Sequence, residues 1–104
     1  MQALLDECVP APLAKALGAD WVKTTQSQGW ASIKNGELIA LAEKQFDIFT
    51  TSDQNIRYQQ NLSHRSIAIL LLPTNRWPIL IHHIEEIKVA LSSMSPKEYR
   101  VLSW

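Results

Sequence analysis

Two kinds of hydrophobic pattern alternate along the chain. Short runs of apolar and β-branched residues, each of strand length, occupy positions 3–5, 21–25, 46–51, 66–72 and 99–102. Between these runs, apolar residues recur at helical spacing over 13–17, 38–46 and 80–91, and a short polar segment from 53 to about 60 is predicted as a further helix. Asn35 and either Ser52 or Asp53 are suitable N-caps for two of these helices, Gly18 is a suitable stop for the first, and Pro78 opens the last.

The order of the predicted elements is β-α-β-α-β-α-β-α-β, which is typical of a parallel sheet with helices on both faces. The run over 66–72 is apolar without alternation, as expected for a central strand that is buried on both faces. A length of 104 residues fits one domain and is large enough to bury a core. We therefore predict an α/β protein with a single domain over residues 1–104, in three layers (α/β/α) around a mostly parallel sheet of four to five strands.

Composition and charge narrow the classes of function. Ten Lys and Arg residues balance ten Asp and Glu residues, which excludes a globally basic nucleic-acid binder but leaves room for a local basic patch. The longest purely apolar stretch, 67–72, is far shorter than the roughly 20 residues that span a bilayer. Cys8 is the only cysteine, so no internal disulfide can form. With no signal-like segment at the start, these features predict a cytoplasmic protein that does not enter a membrane.

Polar clusters stand at the predicted carboxyl ends of the strands. Asp6 and Glu7 follow the first strand, and Asp53 follows the third. Because ligands of open α/β sheets bind at these ends, near the point where the strand order reverses, we expect Asp6 and Asp53 to lie side by side. Two converging carboxylates suit Mg²⁺ or Mn²⁺, which can activate water and stabilise the charge that develops on a phosphate. The alternative is that each aspartate only caps the helix after its strand.

Three segments of the chain resemble a known family. Residues 4–7 (LLDE), 37–42 (ELIALA) and 49–55 (FTTSDQN) are similar to a compact PIN-like domain, the fold of VapC-type toxins and related small nucleases. The resemblance covers the chain from residue 4 to about residue 91. It implies that a cluster of three or four acidic residues binds Mg²⁺ or Mn²⁺ and that the substrate is RNA. For a toxin, it also implies a cognate antitoxin protein that inhibits the activity.

The family's site residues carry over only in part. Its first acid falls on Asp6, and the acid of its threonine-x-aspartate motif falls on Asp53. The positions of its other two acids hold Asn35 and Asn55. Asparagine offers a neutral oxygen to a hard cation but no charge. The resemblance therefore assigns Asp6, Asp53, Asn35 and Asn55 to a catalytic site in which metal binding is weakened.

Further residues are candidates for the same site. Glu7 is adjacent to Asp6 and is a candidate metal ligand from the same loop. Glu37 is a second candidate, but it lies about 200° round the helix from position 35 and so does not automatically replace the acid expected there. Arg57 and Arg76 could hold RNA phosphates, and Trp77 could stack on a base. For these three residues the alternative is two solvent-exposed arginines and a tryptophan packed at a helix start.

Two other chemistry-bearing features favour a structural interpretation. His82 and His83 do not form a zinc-protease motif, and adjacent histidines point about 100° apart on a helix. We expect a solvent-exposed helix face there, with an ion pair between Glu85 and Lys88. We expect Cys8 to be a buried, inert thiol.

These observations predict a metal-dependent ribonuclease that is the toxin of a toxin–antitoxin pair. A first alternative is a PIN-like module with weak or no catalytic activity that binds a partner protein, because asparagine stands at two acid positions. A second is a flavodoxin-like nucleotide-binding domain, which is disfavoured because the three glycines form no Gly-rich phosphate loop. The apolar segment 101–104 is a candidate interface for a homodimer.

Overall fold

Strands and helices alternate along the chain in the predicted order. The computed structural model describes residues 2–33, 35–58 and 66–104, and the side chains of Asn35, Arg57 and Tyr58 lie outside this description. The strands are β1 (Ala3–Leu5), β2 (Val22–Thr24), β3 (Ile48–Thr51), β4 (Ala68–Leu71) and β5 (Tyr99–Val101). The α-helices are α1 (Pro12–Gly18), α2 (Asn35–Ala42), α3 (Trp77–Leu80) and α4 (Ile84–Ser93), and 3₁₀ segments cover Gln54–Tyr58 and Ile81–His83.

The five strands form one parallel sheet in the order β2-β1-β3-β4-β5. The predicted α/β class with a parallel sheet is confirmed. From β1 the chain crosses to β2 on one side and then returns to β3 on the other side of β1. Strand order therefore reverses between β1 and β3, as in flavodoxin-like folds, and such a switch point is where open α/β sheets bind ligands.

The sheet is buried on both faces, which gives the molecule three layers. On β1, Ala3 and Leu5 face the layer of α1, α3 and α4, whereas Leu4 faces the layer of α2. On β4, Leu70 belongs to the first of these cores and Ile69 to the second. Because both faces of the sheet are covered, residues that point to either face are apolar. The sequences of β1 and β4 are therefore continuous hydrophobic runs.

The last helix is interrupted, whereas the sequence predicted one long helix from Pro78. A 3₁₀ turn over Ile81–His83 separates α3 from α4, and His83 leaves helical geometry at φ −123° and ψ 19°. The His83 ring stacks on Trp104 with centroids 4.1 Å apart, and its Nδ1 lies 2.6 Å from Glu86 Oε1. These contacts accompany the interruption. No helix in the described part of the chain is long and apolar enough to cross a membrane.

Candidate functional site

An open cleft of about 720 Å³ lies at the carboxyl ends of β1 and β3. Asp6 and Glu7 reach it from the end of β1, and Ser52 and Asp53 from the end of β3. The cleft therefore opens at the switch point of the sheet, where the topology places a ligand. The structure brings Asp6 and Asp53 to the same cavity.

The carboxylate of Asp6 is buried, with 6% of the residue exposed, and three donors surround it. The hydroxyl of Thr51 donates to Oδ2 at 2.8 Å, and the backbone N–H of Glu7 donates to Oδ1 at 2.8 Å. The thiol of Cys8 donates to Oδ2 at 3.4 Å. A buried carboxylate is tolerated only when such donors satisfy it. They fix the position of Asp6 at the floor of the cleft.

Thr51, the last residue of β3, joins the two aspartates. Its fully buried hydroxyl donates to Asp6 and accepts the backbone N–H of Asp53 at 3.0 Å. Asp53 Oδ1 in turn accepts the backbone N–H of Asn55 at 2.9 Å, which caps the 3₁₀ segment that begins at Gln54. Asp53 thus acts as a cap and also lines the cleft. No role was predicted for Thr51, although it is the threonine of the threonine-x-aspartate segment on which the resemblance to PIN-like domains rests.

Cys8 is half-buried and lines the cleft, so the predicted burial of its thiol is only partial. The tight turn after β1, closed by the Val9 N–H on the Asp6 carbonyl at 3.0 Å, carries the thiol towards the end of β3. There the Ser52 hydroxyl donates to Cys8 Sγ at 3.2 Å, and Thr51 Oγ1 lies 3.5 Å away. The thiol is part of the hydrogen-bonded floor of the cleft.

The remaining predicted metal ligands separate into two groups. Glu7 is exposed and lines the cleft. Glu37 is exposed on the first turn of α2 and lies outside the lining, which Gly36 reaches from the same turn. Asn55 is also exposed and outside the lining. Asn35 is the first residue of α2, and its side chain is outside the described part of the structure.

The predicted nucleic-acid contacts do not line the cleft in the described part of the chain. Arg76 is exposed and caps α3 in an extended conformation, with φ −85° and ψ 114°. Trp77 is half-buried and packs against the core beneath α1 and α4, which is the structural alternative considered for it. The side chain of Arg57 is not described. Asn75 does line the cleft, from the segment between β4 and α3, and no role was predicted for it from the sequence.

The histidine pair lies on an outer helix face. His82 is exposed, His83 is half-buried, and Lys88 Nζ lies 3.8 Å from Glu85 Oε1, so the predicted ion pair is confirmed. Over residues 2–33, 35–58 and 66–104, no group of three or more His, Cys, Asp or Glu side chains is placed to hold a metal ion. No family model, curated protein or solved structure matches the chain.

Proposed function

We propose that this chain is a metal-dependent ribonuclease of the PIN-like type. The observation that carries the proposal is the linkage of Asp6 and Asp53 through the Thr51 hydroxyl, at the cleft where strand order reverses. A switch-point cleft is where an α/β sheet binds its ligand. Two carboxylates that line the same cleft are suited to a divalent cation.

The cleft offers the type of oxygen ligand that suits a hard cation. Asp6 and Asp53 would supply carboxylate oxygens, the ligands that Mg²⁺ and Mn²⁺ prefer, whereas Glu7 lines the cleft but does not form a three-carboxylate metal group with them in the described structure. Among the residues that the structure describes, Asp6 Oδ1 accepts one hydrogen bond, from the Glu7 N–H, and so keeps a lone pair for a ligand. Mg²⁺ commonly uses only one or two carboxylates, together with waters and substrate phosphates. When bound, such a cation supplies an activated water and offsets the charge that develops on the phosphate.

The exposure of the acidic residues in the cleft indicates a different role for each of them. Asp6 is fixed by its donors and sets the position of the site. Asp53 is half-buried, and Glu7 is exposed, so both can meet solvent and substrate. The Thr51 hydroxyl connects the Asp6 carboxylate to the backbone of Asp53 and so fixes the positions of the two residues relative to each other. Such positioning of reacting groups contributes a large part of the rate in enzymes.

The nuclease proposal is tested with purified protein, Mn²⁺ and single-stranded RNA of mixed sequence. Wild type should cleave the RNA, and Asp6→Asn and Asp53→Asn should each reduce cleavage at least 100-fold, roughly the loss of 2.7 kcal/mol of transition-state stabilisation. Asp20→Asn is the matched control, because Asp20 is exposed in the turn after α1 and should leave cleavage unchanged. Equal cleavage by wild type, Asp6→Asn and Asp53→Asn would refute the assignment.

A protein-binding module without catalysis is the second candidate. It is favoured by the asparagines at two of the family's acid positions and by the three donors that already engage Asp6. Calorimetric titration with millimolar Mn²⁺ separates the two candidates. Absence of heat both without and with RNA, together with absence of RNA cleavage, would favour the module.

The proposed biological setting is a toxin paired with an antitoxin, and it rests on the resemblance to VapC-type toxins. Expression of the chain in a bacterial host should then arrest growth. Co-expression of a small protein encoded beside it should restore growth, and Asp53→Asn should remove the arrest without the partner. Growth arrest that persists in Asp53→Asn would contradict a nuclease toxin. Light scattering of the purified chain would show whether it forms the expected homodimer.

A further inference from the structure

The charged side chains that line the cleft, among the described residues, are all acidic. They are Asp6, Glu7 and Asp53. A phosphodiester carries a negative charge, and one bound cation can contact only part of it. The phosphate oxygens that face away from the cation therefore need neutral hydrogen-bond donors from the cleft walls.

Two of the neutral side-chain donors that line the cleft are already used within the protein. The Ser52 hydroxyl donates to Cys8 Sγ at 3.2 Å. Gln54 Nε2 donates to the Leu72 carbonyl at 3.1 Å. In the described structure, the side chain of Asn75 makes no hydrogen bond, and its carboxamide carries two N–H donors. Asn75 follows β4, the strand next to the one that carries Asp53.

The backbone that carries Asn75 is held on both sides. The next N–H, that of Arg76, donates to Thr74 Oγ1 at 3.1 Å. The carbonyl of Arg76 accepts the N–H groups of Ile79 and Leu80 at 3.0 and 2.9 Å, at the start of α3. A short, hydrogen-bonded connection limits the conformational freedom that Asn75 loses when it binds a ligand.

We propose that Asn75 binds the substrate in this cleft, with its carboxamide N–H groups donating to a phosphate oxygen of a bound RNA strand. The identity of the substrate rests on the proposed nuclease function. The role of Asn75 is distinct from metal binding, because it supplies donors on the β4 wall while Asp6 and Asp53 supply oxygens at the floor. It also replaces the predicted phosphate contact of Arg76, which lies outside the cleft lining.

The test compares Asn75→Ala and Asn75→Asp with wild type. Asn75→Asp keeps the shape and exchanges the donors for a negative charge. RNA affinity is measured by fluorescence anisotropy with a short fluorescein-labelled RNA of mixed sequence in Mn²⁺, and Mn²⁺ affinity by electron paramagnetic resonance. Where wild type cleaves, kcat and KM are measured as well. Gln45→Ala is the matched carboxamide control, since Gln45 is exposed between α2 and β3, at the amino end of β3 and so at the opposite end of the strands from the cleft.

Asn75→Ala should weaken RNA binding or raise KM by roughly tenfold, the effect of losing one hydrogen bond to a charged group, and Asn75→Asp should weaken it further. In Asn75→Ala, Mn²⁺ affinity in the absence of RNA and the melting temperature should not change, because Asn75 is exposed and is not a proposed ligand. Unchanged RNA affinity in both variants would overturn the inference, and so would a loss of Mn²⁺ affinity as large as that of Asp53→Asn. If wild type binds RNA without cleaving it, the proposed nuclease activity is refuted. The role of Asn75 is then tested by the anisotropy measurements alone. A wild type that binds no RNA overturns both.

Discussion

Two adjacent threonines of β3 allow a direct test of how the floor of the cleft is held. Thr50 and Thr51 are both fully buried, yet their hydroxyls differ in bonding. Thr51 Oγ1 donates to Asp6 at 2.8 Å and accepts the Asp53 N–H at 3.0 Å, whereas Thr50 Oγ1 has no hydrogen-bond partner among the described residues. Thr→Val replaces the hydroxyl by a methyl group of similar size in each case. The same substitution should therefore have opposite effects on stability at neighbouring positions.

The magnitudes follow from the bonds that each substitution removes. Thr51→Val loses one hydrogen bond to a carboxylate, worth about 1.5–3 kcal/mol, and one to a neutral N–H, worth about 0.5–1.5 kcal/mol. Burial of the new methyl group offsets about 0.8 kcal/mol. The net loss in the free energy of unfolding should be about 2–3 kcal/mol, or roughly 10–20 °C in Tm for a domain of this size. Thr50→Val removes an unsatisfied buried hydroxyl and should stabilise the fold by about 1 kcal/mol.

The assay is urea unfolding followed by the fluorescence of the four tryptophans. The m-values should agree among wild type and both variants, so that the shift in midpoint reports stability alone. Thr51→Ser keeps the hydroxyl and should recover most of the stability that Thr51→Val loses. If Thr51→Val is as stable as wild type, or if both valine variants lose stability equally, the hydroxyl of Thr51 does not hold the aspartates as argued.

Two further predictions concern positions away from the cleft. Gly18 has φ +133°, and an added Cβ would lie 2.4 Å from Trp21 Nε1, so Gly18→Ala should lower the free energy of unfolding by about 1–3 kcal/mol; an unchanged Tm would contradict this. Hydrogen bonds from the Ser95 N–H and then from the Arg100 side chain lower the pKa of Glu98, so its stabilisation is present above the unfolded-state pKa and is lost as pH falls through the lowered pKa. Glu98→Gln should therefore lower Tm at pH 7, and the gap to wild type should narrow as the pH is lowered; a gap of constant width would contradict this.

The fold was predictable because its strongest signals are local. The run over 66–72 is apolar at every position, which is the mark of a strand covered on both faces, and that run contains β4. The interruption between α3 and α4 was not predictable, since the apolar positions at 80, 84, 87 and 91 keep helical spacing across it. The contact that accompanies the interruption is the stack of His83 on Trp104, which is 21 residues away in the sequence.

For the candidate site, too, one part of the arrangement could be predicted from the sequence and another part could not. That Asp6 and Asp53 share a cleft follows from the strand ends and the parallel topology. The role of Thr51 does not follow, because a threonine in a strand also satisfies β-propensity alone. The sequence also could not show that Asn75, and not Arg76, lines the cleft. The turn before α3 decides which of the two side chains faces the cleft. The positive charge of Arg76 made it the predicted phosphate contact, whereas the backbone geometry places Asn75 in the cleft.

The small number of carboxylates in the cleft bears on how the two proposed functions are distinguished. With asparagine at positions 35 and 55, a cation would depend on the substrate phosphate for part of its ligand shell. Thermodynamic linkage then requires RNA to strengthen cation binding by the same factor by which the cation strengthens RNA binding. Weak binding of Mn²⁺ to the free protein is therefore compatible with a nuclease. The protein-binding module is favoured only when Mn²⁺ binding stays absent in the presence of RNA.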